Sequence, residues 1–224
     1  MTRLPTGAEE SIEALLALLA ADPAAPSSVR DPDRARKTHV ADSLSGLEFE
    51  ELREAERVAD LGTGAGFPGL VIAAALPGAQ VDAIESSSRK CEYLRRAIEA
   101  AGLANADVVC ERSEEWAQGE GRESYDAVTA RAVGSLATLA ELASPLLRDG
   151  GALLAWKGRR SAGEEDAAAR ASGRLAMEPT GVRSMRPYAG SRDRHIHLLR
   201  KNGPTPEMLP RRPGMAAKRP FGSE

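Results

Sequence analysis

Apolar residues recur in two rhythms along this chain, and the change falls near residue 57. Before it, Ile12–Ala21 and a longer run from about Ala35 to Ala55 show helical spacing, with Val40, Leu44, Leu47 and Leu52 on related faces. The Pro/Ser/Asp stretch "DPAAPSSVRDPD" (Asp22–Asp33) reads as the connector between them. Together these predict an N-terminal helical cap over residues 1–56. From Arg57 onward, short apolar runs predict strands at Val58–Leu61, Gln80–Glu85, Asp107–Cys110, Tyr125–Ala130 and Ala152–Trp156. Helical segments fall between them at Gly69–Leu76, Ser88–Ala101 and Ser135–Leu147, with a further helix near Glu164–Ser172, a weaker strand around Leu175–Val182, and a last strand, His195–Arg200, that ends the sheet. Apolar strands alternating with helices imply a parallel sheet covered on both faces, joined by right-handed crossovers. The expected fold is therefore doubly wound α/β, Rossmann-like, over residues 57–201. Residues 202–224, rich in Pro and Gly and poor in apolar side chains, are expected to form a basic, flexible tail.

At 224 residues the chain suffices for one well-buried domain with appendages. No apolar run approaches the roughly 18–20 residues that cross a bilayer. "ALLALLAA" is too short, and Glu9, Glu10 and Glu13 precede it where a secretory signal would be basic. A cytoplasmic location without membrane contact is the expectation. Cys91 and Cys110 make neither a disulfide framework nor a metal spacing, and are expected as buried thiols in a reducing cytosol. No metal site is expected, and nothing demands more than a monomer.

Charge changes the picture at the C-terminal end. Residues 183–224 carry 10 Lys and Arg against 3 Asp and Glu, whereas residues 1–182 carry 20 against 30. An acidic body with a basic end allows a local, oriented contact with a polyanion rather than general coating of nucleic acid.

The candidate chemistry begins at "VADLGTGAGFPGL" (Val58–Leu70), where the first sheet strand gives way to glycines. In an open parallel sheet, ligands sit beyond the carboxyl ends of the strands. Gly62, Gly64 and Gly66 permit positive φ and remove β-carbons that would block a ligand. A dinucleotide would place its pyrophosphate at the following helix N-terminus, and Gly64, Gly66 and Gly69 fit that spacing formally. Asp60, however, places a carboxylate ahead of the turn, which disfavours a diphosphate and suits the cationic S-adenosylmethionine. Glu85, at the end of the second strand, can accept both ribose hydroxyls of either cofactor. An NAD-dependent oxidoreductase thus stays open beside the methyltransferase reading.

With "RSEEW", "RESYDAVTARAVGSL" and "LLAWKG" following in order, the chain resembles the RsmG (GidB) family. These enzymes methylate N7 of a guanine, position 527 in the 530 loop of bacterial 16S ribosomal RNA. The resemblance extends to "HVADSL" upstream and to "DRHIHLLRK" and "TPEMLPRRPGMAAKRPF" downstream. It implies S-adenosylmethionine contacts from Gly62 and Phe67 in the loop, Ser113 and Glu114 after the third strand, and Arg131 after the fourth. Asp60, Gly64 and Glu85 complete the expected cofactor set. Phe67 would lie against the apolar part of the cofactor, and Ser113 and Glu114 would read the adenine edge. The family more often has alanine where Ser113 stands. Arg131 would be a strand-end salt bridge, or a cation near the cofactor carboxylate or the RNA.

N7 of guanine carries an in-plane lone pair and no proton, so its methylation needs alignment and exclusion of water, not a general base. No catalytic residue is assigned for that reason. The implied partner is 16S ribosomal RNA or the small ribosomal subunit. His39 and Asp42, three apart on one helix face, are candidates to cover the pocket or touch RNA. Lys157, Arg159, Arg194, Arg211 and Arg212 are candidate phosphate contacts that would position the RNA. A non-catalytic RNA-binding assembly factor on the same fold remains the other alternative.

Overall fold

The computed structural model describes residues 4–222. A seven-stranded sheet has the order β3-β2-β1-β4-β5-β7-β6. Its strands are β1 (Arg57–Leu61), β2 (Gln80–Ile84), β3 (Ala106–Val109), β4 (Tyr125–Arg131), β5 (Leu147–Lys157), β6 (Met177–Ser184) and β7 (His195–Lys201). β1 to β5 are mutually parallel, and the chain order reverses between β1 and β4, where a crevice opens beyond the strand ends.

Alternate residues of each strand feed opposite faces. On β1, Val58 packs with Val81, Ala127 and Leu154 under the helices Ala8–Ala21, Gly69–Ala75 and Ser88–Ala101. Its neighbours Ala59 and Leu61 turn to the other face, with Val128 and Leu153 under Leu136–Ala143 and Ala162–Leu175. Ile12, Leu16 and Leu19 of the first helix are completely buried in the former cluster, so the N-terminal segment shares the sheet's core.

Three expectations need correction. The sheet is mixed: β7 runs antiparallel to both β5 and β6, and β6, not β7, forms the edge. The connection between β6 and β7 is short and contains no helix, and a parallel pairing requires a crossover of a dozen or more residues. The cysteines are joined as a disulfide, Cys91–Cys110, because the crossover sets the first turn of Ser88–Ala101 beside the end of β3, with the two Cα atoms 5.8 Å apart. A spacing of nineteen residues carries no hint of that contact.

The third correction concerns the tail, expected to be flexible. Lys201 Nζ, fully buried, donates to Glu123 Oε1 (2.9 Å), Leu147 O (2.6 Å) and Thr205 Oγ1 (2.6 Å), which fastens the start of the segment. Leu209 and Ala216 are buried. Arg211 grips Glu141 through two 2.5 Å hydrogen bonds, and Thr138 Oγ1 donates to Ala216 O at 3.1 Å. Specific polar bonds hold a segment whose apolar content alone is too low to fold it.

Candidate functional site

The loop after β1 is shaped by glycines at positions where side chains do not fit. Gly62 and Gly64 both have φ of 60°. A β-carbon on Gly62 would lie 2.9 Å from Val133 Cγ2, so the backbone passes this point only without a side chain. The Gly62 amide continues the strand pairing by donating to Ile84 O at 2.9 Å, which ties the loop to the end of β2.

Asp60 does not reach the cavity, contrary to its expected cofactor contact. It is completely buried: Oδ2 accepts the Gly69 amide (3.0 Å) and Oδ1 accepts the Thr129 hydroxyl (2.7 Å). Burial pushes its carboxyl above the usual range, against the hydrogen bonds from Thr129 and Gly69 and the nearby positive Arg131. A β-carbon on Gly69 would lie 2.7 Å from Asp60 Cβ, so the third glycine of the apparent dinucleotide pattern makes room for this aspartate. The carboxylate thereby takes the helix-starting amide on which a pyrophosphate would rest. Asp60 still argues against a dinucleotide, by occupying the phosphate position and not by facing a cation.

Two cavities meet at Gly62. The first, of about 170 Å³, is lined by Gly62, Glu85, Ser86, Glu111, Arg112, Ser113 and Glu114, and on its far side by Gly214, Ala216 and Ala217. Glu85 stands at the end of β2, its Oε1 accepting the Ser87 amide (3.0 Å) and its Oε2 facing Lys90 Nζ (3.3 Å). Glu114 Oε1 accepts the Gly214 amide at 2.8 Å, and Ser113 Oγ donates to Glu114 Oε2 at 3.2 Å. The expected adenine-reading carboxylate is thus engaged with the tail. Sequence reasoning missed the tail wall; the sole signal for it was that the resemblance continued through "TPEMLPRRPGMAAKRPF".

The second cavity, of about 520 Å³, is lined by Ser27, Arg34, His39, Asp42, Gly62, Gly64, Phe67, Arg131 and Arg194, among others. Of the expected cofactor residues, Phe67 and Arg131 therefore stand on this side and Glu85, Ser113 and Glu114 on the other, with Gly62 common to both. The wall is built from a segment in which helical winding widens to a π turn at Arg36–Ala41, a feature frequent at functional sites that no residue pattern announces. Trp156 Nε1 donates to Asp42 O at 2.9 Å and fastens this segment to β5.

Arg131, at the end of β4, organises the wall. Its Nη1 meets Asp42 Oδ2 at 3.1 Å and its Nη2 meets His39 Nδ1 at 3.3 Å. A guanidinium only donates, so Nδ1 is the acceptor and the His39 proton sits on Nε2, directed at Ser27 Oγ 3.1 Å away. Burial, then the charge of Arg131, depresses the imidazole pKa to about 4, so His39 is neutral at pH 7. The His39 and Phe67 rings stack with centroids 4.8 Å apart. A neutral imidazole stacked on a buried benzyl ring gives this wall a partly apolar side next to a carboxylate.

The expected RNA-contacting cations separate into two groups. Lys157 pairs with Glu164 (2.6 Å) and donates to Gly134 O (2.8 Å), and Arg211 is held by Glu141 and lies over the Phe221 ring, so neither is free for phosphate. Carboxylates brought close by the fold neutralise both. Arg159 is 85% exposed, its nearest carboxylate oxygen 3.7 Å away on Asp193. Arg212 is exposed, and Arg194 lines the second cavity. Among the described residues no His, Cys, Asp and Glu cluster suits a metal ion, and no helix is long and apolar enough to cross a membrane.

Comparison with known proteins extends this geometry. Residues 17–196 match the family model described as rRNA small subunit methyltransferase G. The protein named ribosomal RNA small subunit methyltransferase G from Rubrobacter xylanophilus is 43% identical over 196 residues, covering 86% of this chain and 75% of that one. Its namesake from Syntrophomonas wolfei is 40% identical over 183 residues, covering 82% and 85%. Among solved structures, a predicted O-methyltransferase, Atu636 from Agrobacterium tumefaciens, aligns with a TM-score of 0.58 at 22% identity, covering 74% of this chain and 82% of that one. An S-adenosylmethionine-dependent O-methyltransferase from Thermotoga maritima aligns with a TM-score of 0.57 at 15% identity, covering 81% and 74%. At such identities these structures establish the fold alone.

Proposed function

The chain belongs to the rRNA small subunit methyltransferase G family, and from that premise we propose that it methylates N7 of a guanine in the 530 loop of 16S ribosomal RNA, in the cytoplasm, using S-adenosylmethionine. The observation that carries this reading is the pair of cavities joined at Gly62. A ligand with a nucleoside at one end and a reactive centre at the other fits across that joint. The first cavity fits the nucleoside: Glu85 stands where ribose hydroxyls need an acceptor, and Ser113, Glu114 and the tail close around the base. Phe67, Arg131 and the loop glycines face the reactive end.

S-adenosylmethionine, when bound, supplies a methyl group on a positively charged sulfur. Because N7 carries a lone pair and no proton, no residue of the chain would need to act as a base toward it. The residues therefore have three tasks: to hold the guanine plane, to align N7, and to keep water out. The stacked His39 and Phe67 rings give the wall its partly apolar side, and the π-turn segment with Arg131 walls the cavity. Arg159, Arg212 and Arg34 are the exposed cations suited to phosphate contact around the openings. Such contacts position the RNA, and the unstacked base is read in the cavity.

The test is single-turnover transfer of labelled methyl from S-adenosylmethionine to 30S subunits and to naked 16S RNA lacking the modification, with the product mapped chemically at single-nucleotide resolution. One N7-methylguanine in the 530 loop is the expected result. Binding of cofactor and RNA without transfer would favour an assembly factor, and tight binding of NADH in place of S-adenosylhomocysteine would point to the oxidoreductase.

A further inference from the structure

Few buried side-chain polar atoms lack a hydrogen-bond partner among the described residues, and Asp42 Oδ1 and Arg194 Nε are two of them. Both residues line the larger cavity, and both line the smaller recess of about 180 Å³ adjoining Arg131, Ala132 and Trp156. Asp42 is 95% buried, with a relative exposure of 5%; Arg131 and Trp156 hold its Oδ2 and main-chain oxygen. The carboxylate is thus fixed in orientation with one oxygen left over. Thr63 Oγ1 is a further unpartnered atom on the larger cavity's wall, but Thr63 does not line the recess that Asp42 and Arg194 share, and both ring nitrogens of His39 are engaged. Buried polar groups are almost always paired, and leaving one unpaired is costly, so an unmatched acceptor beside an unmatched donor indicates a ligand that supplies both partners.

We propose that Asp42 Oδ1 and Arg194 read the Watson–Crick edge of the target guanine, Asp42 accepting from its N1–H and N2 amine and Arg194 donating to O6. The assignment rests on the guanine reading above and adds which atoms select the base. Guanine presents two adjacent donors and one acceptor along that edge, the complement of a carboxylate beside a guanidinium. Adenine inverts the pattern, setting a lone pair against the carboxylate and an amine against the guanidinium. A site built to bond polar groups rejects such a mismatch strongly, because its own buried groups are then left unpaired.

The same contact contributes to the rate. Methylation turns the purine cationic, which makes N1–H and the N2 amine better donors. A hydrogen bond from them to the Asp42 carboxylate therefore strengthens as N7 acquires the methyl group, and an interaction stronger in the transition state than in the ground state accelerates the reaction.

The experiment compares the target nucleotide as guanosine and as inosine, which lacks only the N2 amine, in the same reconstituted 30S substrate. The wild-type protein is expected to prefer guanosine by about tenfold or more in kcat/KM, the scale of one hydrogen bond to a charged group. Asp42→Asn is expected to lose at least that factor on guanosine and to bring the two substrates within about twofold of each other, with S-adenosylhomocysteine affinity unchanged. Arg194→Met should slow both substrates and preserve the ratio, since both carry O6. A merely structural Asp42 would lower activity with the guanosine preference intact, and that outcome overturns the proposal. If Asp42→Asn does not fold, the wild-type ratio decides alone: equal kcat/KM on guanosine and inosine is equally fatal. No transfer by the wild-type protein to the guanosine substrate would instead mark failure of the guanine-N7 reading itself.

Discussion

The main-chain amide of Gly214 donates to Glu114 Oε1 across 2.8 Å, joining residues a hundred positions apart and drawing the C-terminal segment over the smaller cavity. A basic tail that composition alone would assign to RNA is thereby part of the wall of the cavity proposed to hold the nucleoside. Truncation after Pro210 should lower S-adenosylhomocysteine affinity by about tenfold or more in isothermal titration, because it removes Ala216 and Ala217 and uncovers Glu114. Unchanged cofactor affinity, with only RNA binding weakened, would return the tail to its expected role.

The Arg211–Glu141 pair holds that wall, with side-chain exposures of only 20% and 2%. Arg211→Met leaves a buried carboxylate without a partner and should cost about 3 kcal/mol of folding stability, measured by urea denaturation. The double variant Arg211→Met/Glu141→Leu should recover most of this loss. Equal destabilisation in both would show that the ion pair is not the source.

At Gly62 the expected effect falls on binding. Gly62→Val places a β-branched side chain at φ 60° and within 2.9 Å of Val133 Cγ2, at a strain cost of about 1–3 kcal/mol. Thermal unfolding should stay cooperative at a lower Tm, and cofactor binding should become undetectable. A variant that binds S-adenosylhomocysteine like the parent would displace the site from this loop.

His39 gives a pH dependence with a definite sign. Its folded pKa of about 4 lies below the ordinary 6.5, so the unfolded chain binds the proton more readily. The stability contributed by neutral His39 is present above pH 6.5 and is lost as pH falls from 6.5 toward 4. Comparing Tm across that window for the wild-type protein and His39→Gln should show the gap closing toward low pH. In heteronuclear NMR titrations, Arg131→Gln should raise the His39 pKa, since the guanidinium charge is one of the two causes of its depression.

Much of this architecture was legible in the residue pattern, since strand alternation and helical spacing are local consequences of burial. The first four parallel strands lie within one residue of their expected bounds, the fifth begins at Leu147 and not at Ala152, and helix Ser88–Ala101 is as expected. The long helical reading of 35–55 was less successful: the segment is broken into α, π and 3₁₀ turns, because Trp156 and Arg131 pull its polar groups toward the sheet.

The sequence by itself determined the layered α/β plan, the glycine turn and the residues gathered around it, because these depend on periodicity and on side chains a backbone cannot tolerate. Tertiary structure alone decided which charges are spent and which are free. Asp60 faces a helix amide, Glu114 is taken by the tail, Arg211 of the tail by Glu141, Lys157 is neutralised by Glu164, and Asp42 keeps one oxygen unmatched. A charged residue's availability depends on partners brought from distant parts of the chain, and no local pattern records which of them will arrive.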